Sequence, residues 1–220
     1  VTKPFSLIVT DTSPLLTLTL ADSLDALLRP ELPVSIPDAV YIEATRVHGA
    51  PGAEQIVEWI NAHLETVRIV PTDVGIDQQR RLEEGRSIRG LGEQAAIEAL
   101  DRFLRSDARA EALLLFEDSD VQKRRAIIEE RVSLISTGDF LRELEAAGLI
   151  QSADFILDQA AARGRNVESQ RRASGESPPA KSCVSNSSAA TPGIEPALIE
   201  SRRSSLEASS GKSEPQSGCR

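Results

Sequence analysis

Residues 7–14 read Leu-Ile-Val-Thr-Asp-Thr-Ser-Pro, and no other stretch restricts the fold as tightly. Leu7, Ile8 and Val9 form a short apolar run, the mark of a strand buried on both faces of a parallel sheet. Ser13 followed by Pro14 then reads as a helix start, with Ser13 at the cap and Pro14 in the first turn. Strand, acid, helix is the opening of a βα unit. In open α/β sheets, ligands bind beyond the carboxyl ends of the strands. Asp11 stands at such an end, and with Ser13 as the cap its carboxylate is left for chemistry. Taken alone, an Asp in this place also reads as an ordinary turn or capping residue. The rest of the chain bears on the choice.

Four more short strands are predicted: Val34 with Ile36, the stretch Val67–Val70, the fully apolar Leu113–Phe116, and Val132 with Leu134 and Ile135. Helical periodicity fills the gaps between them. Leu15–Leu28 reads as one broken helix or two short ones. A helix from Pro37-Asp38 carries Val40, Glu43, Ala44 and Val47 on one face. Residues 53–64 place Ile56, Val57, Ile60 and Leu64 inward, with Trp59 at the edge of that face. A charged helix over Asp73–Glu84 leads into a basic loop holding Arg86 and Arg89. Gly92-Glu93 opens the clearest helix, with Ala96, Ile97, Leu100, Phe103 and Leu104 on one stripe. Further helices are expected after Asp120, after Gly138-Asp139 and over Ala153–Ala162, where Phe155 and Ile156 are apolar. Strands alternating with helices predict a three-layer α/β/α sandwich around a mostly parallel sheet of four to five strands.

From residue 165 the texture changes. The last 56 residues hold 14 Ser and no aromatic residue. Such a segment buries too little apolar surface to offset its ordering entropy. Residues 1–164 are therefore expected to form the folded domain and 165–220 a disordered tail. Eight basic and six acidic residues give the tail +2, which leaves −11 on the domain from a net −9. An acidic body argues against broad, nonspecific nucleic-acid binding. It accommodates a nuclease whose carboxylates await metal ions. No apolar run approaches the roughly 20 residues of a membrane helix, and the short apolar run before Asp11 is too brief for a secretory signal. A cytoplasmic location is the expectation. Both cysteines, Cys183 and Cys219, lie in the tail and offer neither a zinc site nor a disulfide framework.

The acids fall at corresponding places. Asp11 and Asp118 each follow a buried strand, and neighbouring strands lie about 5 Å apart. If the first and fourth strands are adjacent, these carboxylates meet at one sheet edge and need a proton or cation between them. Glu93, at the first turn of its helix, is favoured there by the helix dipole, yet it extends the face bearing Ala96 and Leu100. Glu43 likewise lies within an apolar stripe. Oxygen-only ligands suit magnesium or manganese. His48 and His63 lie near helix ends and are not needed for such chemistry.

This pattern resembles the PIN domain and, among PIN proteins, the toxins of VapBC-type toxin–antitoxin systems. The matching stretches are Val9-Thr-Asp-Thr-Ser-Pro-Leu15, Glu43 within Val40-Tyr-Ile-Glu-Ala44, Gly92-Glu-Gln-Ala-Ala-Ile97, Leu114-Leu-Phe-Glu-Asp-Ser-Asp120 and Thr137-Gly-Asp-Phe-Leu141. The resemblance covers about residues 5–150. It implies a Mg2+- or Mn2+-dependent endoribonuclease with Asp11, Glu43, Glu93 and Asp118 as its acidic pocket. Asp11, Glu93, Asp118 and Asp120 would be metal ligands, with Glu117 an alternative. One or two ions would polarise the scissile phosphate and lower the pKa of a bound water. Thr12 and Ser13 are candidates for positioning water or phosphate. Arg86, Arg89, Lys123, Arg124 and Arg125 are placed to meet RNA phosphates. A toxin further implies a cognate antitoxin and a homodimer, for which the apolar faces near Leu15–Leu28 are candidate surfaces.

Other readings fare worse. A haloacid-dehalogenase-like phosphohydrolase needs a second Asp where Ser13 stands. A nucleotide-binding βαβ protein needs a glycine-rich loop after its first strand, and Asp-Thr-Ser-Pro is not one. A receiver-type signalling domain needs paired acids at its first strand and a late Lys, and neither is clear. A non-catalytic PIN-fold scaffold or RNA-binding partner is the rival the sequence leaves open.

Overall fold

A computed structural model describes residues 5–47, 49–88, 90–117 and 130–172. The chain divides into two units, Val1–Ala180 and Lys181–Arg220, and every described residue belongs to the first. Five strands form one parallel sheet: β1 (Leu7–Thr10), β2 (Val34–Pro37), β3 (Val67–Val70), β4 (Ala112–Phe116) and β5 (Val132–Ser136), in the order β3-β2-β1-β4-β5. The described helices are α1 (Thr12–Leu20), α2 (Asp38–Thr45), α3 (Ala53–Ala62), α4 (Asp73–Glu83), α5 (Leu91–Ser106), α6 (Thr137–Ala146), α7 (Ala153–Ala162) and α8 (Glu168–Arg172). A 3₁₀ turn spans Leu24–Leu28. The expected three-layer α/β/α sandwich is the fold observed.

The lack of polar alternation in β1 has a direct cause. Its residues feed two cores, one on each face of the sheet. Ile8 points into the larger core with Leu113 and Leu115 of β4, Leu15 and Leu18 of α1, Leu141 of α6 and Leu157 of α7. Leu7 and Val9 point the other way, against Ala112 and Leu114 and the stripe Ala96, Leu100 and Leu104 of α5. The register pairs Ile8 with Leu113 and Val9 with Leu114, so like faces coincide across the two central strands. Each fully buried Ile or Leu contributes roughly 1.5–3 kcal/mol, and a slip of one residue would exchange the two cores.

The strand order has a functional consequence. The chain builds β1, β2 and β3 toward one edge, then returns to place β4 on the other side of β1. The β1/β4 boundary is thus the topological switch point, where connections leave in opposite directions and a crevice opens.

Several local expectations change. Asp11, not Ser13, occupies the N-cap position of α1, with extended backbone (φ −85°, ψ 174°), and Ser13 lies inside the helix. Val47 lies beyond the end of α2 and is exposed, as is Leu64 beyond α3. Trp59 is buried rather than peripheral, and its Nε1 donates to Asp25 Oδ1 at 2.9 Å. Ile97 and Phe103 are only partly buried, while Phe155 is exposed and Leu157 takes the core position of α7. Leu15, Leu18, Leu24 and Leu27, read as part of a dimer surface, are buried in this chain's own core. The helix expected after Asp120 lies outside the described residues. The packed chain also runs past 164: Val167 joins the larger core, and Gln170 is buried with its Oε1 accepting from the Gly138 backbone N–H at 3.1 Å. Residues 165–172 are therefore part of the folded unit.

Candidate active site

The carboxyl end of β1 delivers Asp11 to the switch point. Its backbone N–H donates to the Leu115 carbonyl at 3.1 Å, which ties the residue to β4. Its side chain makes no capping hydrogen bond to α1. The capping reading of Asp11 therefore fails in its chemistry, though the backbone does occupy the cap position. Burial pushes the Asp11 carboxyl up from 3.8 to about 6. The Thr12 backbone amide opposes that rise, while the charges of Glu43, Glu93 and Glu117 add to it. Of the acids expected to converge, Glu43 and Glu93 thus act on Asp11, and Asp118 lies outside the described residues.

Three elements bring these groups together. Glu43, at the C-terminal part of α2, reaches back to α1, where Thr12 Oγ1 donates to its Oε2 at 2.9 Å. Thr12 is buried and its hydroxyl is committed to this bond. Glu93 lies in the first turn of α5, partly buried. Gly92, just before it, is buried against the centre of the cluster. A Cβ on Gly92 would stand 2.6 Å from Glu43 Oε2, 3.1 Å from Thr12 Oγ1 and 3.3 Å from Asp11 Oδ1. Oxygens from α1, α2 and the β1 end surround the space that only glycine leaves open. Gly90, in the left-handed region at φ +76°, turns the chain into α5.

Glu117 closes β4 but is already engaged. Thr137 Oγ1 donates to its Oε1 at 2.7 Å, and Arg165 Nη2 donates to its Oε2 at 3.0 Å. Its side chain is only 8% exposed. Both Glu117 oxygens are thus engaged within the fold, and its charge adds to the rise at Asp11. Arg165 also donates from Nη2 to the Ser13 carbonyl at 3.1 Å and from Nε to Thr17 Oγ1 at 2.8 Å. One guanidinium therefore fixes the end of β4 relative to the first turns of α1. Arg165 was missed because it sits in the stretch read as tail, 48 residues from Glu117 and 152 from Ser13 in sequence. No local signal marks it.

Of the other expected site residues, Arg86 is exposed and paired with Glu84 at 3.0 Å. Arg89, Asp118, Asp120, Lys123, Arg124 and Arg125 lie outside the described residues, as does His48. The His63 ring lies beside Trp59, tilted by 44° with ring centroids 5.4 Å apart, and its Nδ1 lies 2.8 Å from the Trp59 carbonyl oxygen. Among the described residues, no three His, Cys, Asp or Glu side chains are arranged to hold a metal ion. The chemistry of the donor set nevertheless fits a hard divalent cation. It is all oxygen, and the central carboxyl, raised chiefly by burial, also feels neighbouring carboxylate charges that a cation would neutralise. The space left by Gly92 among those oxygens is consistent with this fit.

A parallel α/β/α sandwich with a largely buried Asp at its switch point, and further acids whose charges act on it, defines a class of enzyme-like folds whose site sits on the sheet edge. A family model described as PIN domain (DUF3368) matches residues 7–173. The chain belongs to the PIN-domain family, whose members are typically nucleases and generally use divalent metal ions. The matched span ends one residue after the last described helix, in keeping with the packing of residues 165–172. No match is found among curated proteins or among solved structures. No described helix is long and apolar enough to cross a membrane.

Proposed function

We propose that the protein is a metal-dependent endoribonuclease that hydrolyses RNA phosphodiester bonds, and that it serves as the toxin of a toxin–antitoxin pair. One observation carries the nuclease reading: a largely buried Asp11 at the switch point, raised to about 6 by burial with the charges of three further acids adding to the rise. A domain that used Asp11 only as scaffold would gain by replacing it with a neutral group, because holding a carboxylate ionised in a largely buried place is costly. Asp11, Glu93, Asp118 and Asp120 would hold Mg2+ or Mn2+. When bound, the ion supplies a lowered pKa for attacking water and charge for the phosphoryl oxygens. Thr12 would keep the Glu43 carboxylate turned toward the site, Gly92 would keep the space beside it open, and Arg165 would hold Glu117 away from the ion, a reading supported by the bonds of Thr12 and Arg165 and the close approach at Gly92.

The toxin role rests on the resemblance of the motifs and brings with it a cognate antitoxin and a homodimer. The test is cleavage of single-stranded RNA with Mg2+ or Mn2+ by the full chain and by Asp11→Asn and Glu93→Gln. Both variants are expected to lose at least about 100-fold in kcat while keeping the fold. Cleavage by Asp11→Asn at the rate of the unmodified chain would refute the site assignment. A correctly folded chain that cleaves no RNA with either metal would leave the non-catalytic rival standing.

A further inference from the structure

A groove of about 520 Å³ shares Glu43 with the acidic site. Arg46 borders it from the end of α2, and Leu82, Arg86, Ser87 and Ile88 border it from the α4–α5 connection. Glu43 is the acid among its lining residues. Two guanidiniums from separate elements therefore converge beside an acidic pocket, on a chain whose net charge is −9.

We infer that this groove holds the RNA strand that flanks the scissile bond, with Arg46 contacting a backbone phosphate. The inference rests on the nuclease reading and names where its substrate runs. Arg46 is exposed, and the structure gives its guanidinium no ion pair or side-chain hydrogen bond among the described residues. A cation kept uncompensated on an acidic surface is available for an anion of another molecule. Arg86 is paired with Glu84, but that pair is 58% and 47% exposed. An ion pair so solvated is held by little, so Arg86 can exchange its partner for a phosphate. Leu82 and Ile88 are partly buried and give the groove apolar wall area against which a ribose or base can pack. The volume falls within the range of small-ligand clefts, enough for a segment of single strand. The arrangement also answers an electrostatic need. Acids that attract a cation repel the polyanion to be cut, and nearby arginines offset that repulsion.

The test measures binding apart from turnover. A fluorescein-labelled 12-mer of single-stranded RNA is titrated with the full chain in chelator, from low to physiological salt. Variants are Arg46→Ala and Arg46→Lys. Arg46→Ala is expected to weaken binding about 3- to 10-fold and to make the dependence of log K on log salt shallower by about 0.7, the share of one phosphate on a single strand. Arg46→Lys keeps the charge and is expected to recover most of both. A deoxy 12-mer of the same sequence is expected to lose the same factor, because the contact is to phosphate. In steady-state cleavage with Mg2+, Arg46→Ala should raise KM by the same factor and leave kcat unchanged. Unchanged affinity and salt slope in Arg46→Ala would overturn the inference, as would a fall in kcat at constant KM or a loss confined to RNA. Absence of cleavage in the unmodified chain would instead count against the nuclease reading, and the binding result would still decide the groove.

Discussion

Replacing Asp11 by Asn should make the metal-free protein more stable, which is unusual for a change to a buried polar residue. In the folded chain the carboxyl is raised from 3.8 to about 6, chiefly by burial. Holding it ionised above that pH costs about 3 kcal/mol relative to the unfolded chain. The folded state binds the proton more tightly than the unfolded state, so stability falls as pH rises between 3.8 and about 6. Below that window both states are protonated and the penalty is absent; above it the penalty is complete. Asn keeps the shape, carries no charge, and can donate its amide N–H groups toward neighbouring carboxylates. Because relaxation reduces such penalties, a gain of about 1–3 kcal/mol is expected at pH 8 and about none at pH 4. For a domain of this size that is a rise in Tm of roughly 3–10 °C. The assay is thermal unfolding in chelator from pH 4 to 8, followed by circular dichroism. Saturating Mg2+ or Mn2+ should then reverse the order, since an ion bound by the native chain stabilises it and Asn is the poorer ligand. A less stable Asp11→Asn at pH 8 in chelator, or a difference that does not change with pH, would refute the reasoning.

Two further substitutions separate site from scaffold. Gly92→Ala places a methyl 2.6 Å from Glu43 Oε2, the mobile end of a flexible side chain, so the carboxylate moves and the backbone does not. Stability should change by less than about 1 kcal/mol, because alanine favours the helix, while the Thr12–Glu43 bond is broken and cleavage falls about tenfold; an unchanged rate would show that Glu43 need not be held. Arg165→Ala leaves the Glu117 carboxylate unpaired at 8% exposure and should cost about 2–3 kcal/mol in a urea titration. Arg165→Lys should fall between the two, since one ammonium cannot match the fork that reaches Glu117, Ser13 and Thr17; equal midpoints for all three proteins would remove Arg165 from the framework of the site.

Much of the layout was legible in the chain because it is local. The unbroken apolar runs at β1 and β4 announce strands covered on both faces, and the stripe Ala96, Leu100 and Leu104 announces a helix lying on one of them. Asp11 at a strand end and Glu93 at a helix start follow from the same patterns. Expectations failed where the outcome depends on what lies opposite. Val47, Leu64 and Phe155 continue their periodic stripes, yet the elements end or the facing surface is absent, and all three are exposed. Leu15–Leu28 looked like a surface awaiting a second copy because nothing local shows that α6 and α7 cover it.

The sequence by itself determined the class of fold and the acids at the ends of its elements, since hydrophobic period and turn chemistry act over a few residues. Tertiary structure alone decided that Asp11 is pressed toward its protonated form and that Glu117 is tied down. It also made Arg165, from a stretch that reads as solvated tail, a fixture of the site. Burial and charge coupling depend on distances between residues far apart in the chain, and those distances exist only once the sheet has set its strand order.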